Sequence, residues 1–68
     1  MKKSKKINNN YNNKIKGLTL GDRVIVNFIS PDKENINIEG TVEDIGNLFI
    51  VIDRWFIKSN ELLNIRKI

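Results

Sequence analysis

The sequence predicts an all-β domain: five short strands curled into a small barrel, preceded by a basic, flexible N-terminal arm over residues 1–17. Three observations predict it. Apolar and polar residues alternate along several segments of the body, which is the period of a half-buried strand. Turn signals separate those segments: Gly21-Asp22, Ser30-Pro31-Asp32, Gly46-Asn47 and Asp53-Arg54. Charge also divides the chain. Residues 1–17 carry six lysines and no acid, whereas residues 18–68 carry six basic and eight acidic side chains. The net charge of +4 is therefore the sum of a strongly basic arm and a mildly acidic body.

With 68 residues the chain is one domain at most. A chain of this size buries only about 60% of its unfolded surface, so its core has to be well patterned or completed by a partner. Cysteine is absent, so neither a disulfide nor a thiolate metal site reinforces the core. No apolar run is long enough to span a membrane, and the N-terminus lacks the apolar segment of a signal peptide. The expectation is a soluble, cytoplasmic protein. Ile, Asn and Lys make up 32 of the 68 residues. This bias fits a bacterial or phage-like low-GC genome, and it discounts part of the lysine content as drift.

Residues 1–17, MKKSKKINNNYNNKIKG, have the low complexity of a disordered arm. Ile7, Tyr11 and Ile15 nevertheless stand four apart, a spacing that would put them on one side of an induced helix. The first strand follows Gly21-Asp22, with Val24, Val26 and Phe28 inward. Residues 30–35 form a polar loop. In "INIEGTVEDI" Ile36, Ile38, Gly40 and Val42 share one face, and Gly40 marks a bend or bulge. Two hairpins follow, around Gly46-Asn47 and Asp53-Arg54. Their inward set is Leu48, Ile50, Ile52, Trp55 and Ile57, with Trp55 as core anchor. "SNELL" reads as one short helical turn before the last strand, capped by Ser59, with Glu61 at the positive end of its dipole. "NIRKI" closes the sheet.

This order is similar to that of a small SH3-like barrel. The segments "GDRVIV", "GTVEDI", "FIVI", "WFI" and "ELLNI" resemble the spacing of KOW- and Tudor-type barrels. There a Gly-Asp opens the first strand, and a mid-strand glycine starts a bent second one. "IEGTVEDIGNLFIVID" also resembles the first half of an Sm/Hfq-type motif, although the histidine that Hfq proteins use in RNA binding is absent. A further likeness is to YolD-like proteins. The resemblance covers residues 20–67. It implies an SH3-like fold and points towards nucleic acid, although a fold by itself does not fix a function.

The residues exclude several chemistries. With no His and no Cys, the usual general base and thiol nucleophile are missing. Asp22, Glu39, Glu43, Asp44 and Asp53 read as solvated strand-face acids, and Glu43-Asp44 point to opposite faces. No glycine-rich phosphate loop is present. The expectation is a non-enzyme with no cofactor, no metal and no membrane partner. Two binding functions stay open. In the first, Lys2, Lys3, Lys5, Lys6, Lys14 and Lys16 of the arm join Arg54 and Lys58 to track the phosphates of a nucleic acid, RNA rather than DNA. Phe49 or Phe56 would then stack a base. In the second, Phe49, Val51 and Phe56, out of phase with the inward set, combine with Ile25 and Ile29 into an apolar patch. That patch would serve a protein partner or self-association, with strand-edge pairing as the mode.

Overall fold

The computed structural model describes residues 8–68, with side chains from Tyr11 onward. A short helix, α1 (Asn8–Ile15), precedes five strands: β1 (Arg23–Ile29), β2 (Asn35–Ile45), β3 (Phe49–Ile52), β4 (Trp55–Lys58) and β5 (Leu62–Lys67). The strands form one antiparallel sheet in the order β4-β3-β2-β1-β5. Among the described residues no ladder joins the outer strands β4 and β5 to each other.

The apolar alternation sets the register. Val24, Val26 and Phe28 pair with Gly40, Ile38 and Ile36, so one inner row runs across β1 and β2. The same row reaches Ile65 and Leu62 of β5. These two residues are three apart, which strict alternation would put on opposite faces. A register shift that skips Leu63 brings both inside and leaves Leu63 exposed. β2 does the same at Glu43: Val42 pairs with Ile52 and Asp44 with Val51, so Glu43 is the extra residue and both Val42 and Ile45 turn inward. The bulge therefore lies three residues beyond Gly40. β2 pairs with β1 over its first seven residues and with β3 beyond them, and the change of partner bends the sheet.

Gly40 serves a different purpose from the expected bend. A Cβ there would stand 2.6 Å from Asp53 Oδ2 and 2.8 Å from Ile52 Cγ2. Asp53, at φ +55°, accepts the Thr41 N–H on Oδ1 at 3.0 Å, while its own N–H donates to Thr41 C=O at 2.9 Å. The aspartate thus bridges β2 and the β3–β4 turn over the bare glycine.

The core contains Tyr11, Val24, Val26, Phe28, Val42, Ile50, Ile52, Ile57, Leu62 and Ile65. Two residues expected inside are not. Leu48 belongs to the turn before β3, where alternation has not yet begun, and it is 59% exposed. Trp55 is 42% exposed and meets the Phe28 ring edge to face, at 5.3 Å between centroids and 64° between planes. That contact joins β4 to β1 across the inner face although β3 and β2 lie between them, so the sheet curls over its core.

Asn8–Ile15 form α1, and Tyr11 and Ile15 of the four-residue spacing pack on the core. Ile7 and residues 1–6 lie outside the described residues. An eight-residue helix is marginal by itself, and burying the tyrosine ring contributes about 2 kcal/mol to holding it. The expected helical turn after β4 is a hydrogen-bonded turn over residues 59–61. Glu61 N–H donates to Lys58 C=O at 2.9 Å, and the Glu61 carboxylate accepts Lys58 N–H at 3.1 Å. The cap is therefore Glu61, not Ser59, whose N–H goes to Leu48 C=O.

Candidate functional site: an aromatic groove beside Lys58

The outer face of β3 and β4 is built by alternation. Phe49 and Val51 lie on one side of β3, directly opposite Lys58 and Phe56 of β4. Ile50, Ile52 and Ile57 fill the other side and are fully buried. Phe56 is 59% exposed, whereas Phe49 is half-buried, and their rings stack at 4.9 Å with planes 12° apart. With Leu48, Lys58, Ser59 and Asn60 they line an open groove of about 440 Å³. The groove has an aromatic floor, a leucine wall and a polar end.

The seat of Phe49 is Gly46. A Cβ on Gly46 would fall inside the Phe49 ring, so only glycine lets the ring lie across the turn. Gly46 N–H closes the turn on Phe49 C=O at 2.8 Å. From the other side, the Tyr11 hydroxyl approaches Gly46 C=O at 2.8 Å and also contacts Phe49 C=O. Burial raises the Tyr11 phenol above its ordinary pKa, and two facing carbonyl oxygens give it only acceptors.

The candidate cations are spread out. Lys58 is exposed on the groove, and no salt bridge engages it among the described residues. Arg54 is exposed in the β3–β4 turn, two residues before Phe56. Lys14 is half-buried, and its Nζ donates to Leu62 C=O at 3.3 Å, so it anchors α1 to β5. Lys16 is exposed beyond the helix. Lys2, Lys3, Lys5 and Lys6 lie outside the described residues.

The acidic side chains of β2 are partly committed. Glu39 pairs with Arg23 at 2.9 Å, and Asp44 accepts the Ile45 N–H at 2.9 Å. Asp44 is the cross-strand neighbour of Val51, so the face runs from acidic at β2 to basic at β4. Asp22 accepts the Thr19 N–H at 2.9 Å and meets Lys67 at 3.4 Å; these partners, the Thr19 bond first, hold its carboxyl below the usual range. Among the described residues no acidic cluster is arranged to hold a metal ion, and no helix is long and apolar enough to cross a membrane.

The structure brings Phe49, Val51, Phe56 and Lys58 onto one face. It does not bring Ile25 and Ile29 to them: both lie on β1, with β2 between, and Ile25 is flanked by Glu39 and Arg66. Two contributors were not foreseen. Leu48 escaped because alternation placed it inside. The Tyr11 hydroxyl escaped because its acceptors lie 35 and 38 residues away. No family model, curated protein or solved structure matches the chain.

Proposed function

We propose that this chain is a non-catalytic, cytoplasmic binding module with an SH3-like barrel of the KOW/Tudor type, and that it binds single-stranded nucleic acid, RNA in preference to DNA. The strand order, the shared strand β2 and the Phe28–Trp55 contact support the barrel. One observation carries the function: an exposed aromatic, Phe56, stacked on Phe49 with an exposed lysine on the same face. A base stacks on such a ring whatever its sequence, and a neighbouring cation holds the phosphate that follows. In this reading Phe56 and Phe49 take the base. Lys58 and Arg54 take phosphates, and the arm lysines Lys2, Lys3, Lys5, Lys6, Lys14 and Lys16 add affinity without sequence readout.

The test is titration of a labelled uridine octamer and of a duplex DNA at about 50 and 200 mM salt, a range over which phosphate contacts reveal themselves. The expected result is salt-sensitive RNA binding, weakened in Phe56→Ala and in a full-length chain with Lys2, Lys3, Lys5 and Lys6 changed to Gln. Truncating at residue 17 is the wrong tool, because it removes the buried Tyr11. Binding that ignores salt and both variants overturns the reading.

A second reading is favoured by Leu48, which adds a 59% exposed aliphatic wall that nucleic acid does not need. It makes the groove a dock for an apolar segment of a protein partner. Phe56→Asp then abolishes that interaction and leaves the fold intact. Addition of a strand to β4 would have to displace Glu61, which occupies the outward N–H and C=O of Lys58.

A further inference from the structure

The turn that carries Phe49 is held from outside the sheet. Gly46 and Phe49 are joined by one backbone hydrogen bond, and the Tyr11 hydroxyl lies between their two carbonyl oxygens. One phenolic proton is shared by two acceptors three residues apart. The bridge therefore exists only while the turn keeps its shape. The Tyr11 ring is 2% exposed, so the hydroxyl stands at the end of a strut clamped by the core. The strut belongs to α1, whose other anchor is Lys14 Nζ on Leu62 C=O. On the far side of the same turn, the Phe49 ring lies across Gly46 and stacks on Phe56.

We propose that Tyr11 is a positioning residue for the aromatic groove: α1, docked through the Tyr11 hydroxyl, holds the Gly46–Phe49 turn in the shape that seats Phe49 against Phe56. Without the hydroxyl the Gly46 and Phe49 carbonyls lose their shared donor, the turn samples other shapes, and the stacked pair loosens. Helix docking and occupancy of the groove then strengthen each other by the same factor, as linkage requires. This last consequence rests on the reading of the groove as a ligand site, whereas the positioning role does not.

The experiment compares the full-length chain with its Tyr11→Phe variant, which keeps the ring and removes only the proton donor. Amide hydrogen exchange at Gly46 and the ring resonances of Phe49 and Phe56 are read by NMR, without ligand. Loss of one hydrogen bond should raise Gly46 exchange about fivefold, and both ring signals should shift. Lys14→Met loosens α1 at its other anchor without touching Tyr11. It should move the same signals in the same direction, and it gives the answer should Tyr11→Phe fail to fold. A Val24→Ala variant, destabilised at a buried β1 position away from the turn and from Leu62, should leave them in place. Unchanged Gly46 exchange and ring signals in both helix variants overturn the proposal, as does an equal shift in Val24→Ala. The uridine octamer is then added. Shifted signals with weakened RNA binding in Tyr11→Phe support positioning and the nucleic-acid reading together. Shifted signals with no RNA binding by the unaltered chain support positioning and overturn the nucleic-acid reading.

Discussion

Gly46 and Asp22 show how much single positions control here. Gly46→Ala sets a methyl group against the far end of a side chain that can swing, so the backbone survives and the ring moves. The expected cost is about 1 kcal/mol, at the lower end of overpacking, with a large change in the Phe49 and Phe56 ring signals; thermal unfolding and NMR check both. Two groups with shifted pKa values tie the fold to pH. The folded pKa of Asp22 is lowered, so its contribution is present above about pH 4 and is lost as pH falls through the folded value. Asp22→Asn should flatten that acid limb in a series of melting temperatures. Tyr11 is raised, so its contribution is present below about pH 10 and is lost as pH climbs through the folded value. Tyr11→Phe should flatten the alkaline limb. Neither residue stood out in the sequence for these roles. An aspartate after a glycine and a tyrosine among asparagines show their composition but not their partners, and the partners here lie far away along the chain or in the backbone.

Among the elements, β4 is the most exposed to trouble. It is a four-residue outer strand with Trp55 and Phe56 both exposed, one on each face. Unpaired outer strands recruit other chains unless something blocks them. Antiparallel geometry points the N–H and C=O of Trp55, Ile57 and Ser59 at β3, consistent with the Ser59 N–H bond to Leu48, and those of Phe56 and Lys58 outward. Glu61 covers the Lys58 pair with its carboxylate and its own N–H, leaving only Phe56 open. Glu61→Ala keeps the backbone N–H on Lys58 C=O but frees the Lys58 N–H, and should promote concentration-dependent association, visible by sedimentation or light scattering; an unchanged particle size at high concentration contradicts this. The strands themselves were legible in the sequence, since alternation locates β1, β2, β3 and β4, and the turn dipeptides separate them. What alternation misses are its own interruptions. The extra residues at Glu43 and Leu63 reset the phase, and nothing in their side chains announces it. Leu48 was misplaced because it precedes β3, where the period has not begun; Trp55 lies on the face alternation gives it, but at the start of β4, where it is left 42% exposed. The capped turn at Glu61 was visible only as helix-like composition.

In the whole molecule, a small core is held by contacts between distant parts of the chain. A 68-residue fold has roughly 3–10 kcal/mol of stability at ordinary densities. Ile50→Ala, at a fully buried position, should cost about 2–5 kcal/mol, a large share of that margin, and lower the melting temperature markedly by circular dichroism. The groove depends on the same core, since Ile50 and Ile57 lie directly behind Phe49, Val51 and Phe56. The curl of the sheet could not be read from composition. It follows from the change of partner along β2 and from an edge contact between Phe28 and Trp55, which are 27 positions apart in sequence. The pairing of β1 with β5 has a further consequence, in time rather than in space. A ribosome delivers β1 well before β5. Until Leu62 and Ile65 emerge, Val26 and Phe28 lack the neighbours that bury them, and β1 stands at the edge of an unfinished sheet. A chain cut between β1 and β5 thus carries an open, apolar strand edge, prone to capture by its siblings or by a chaperone.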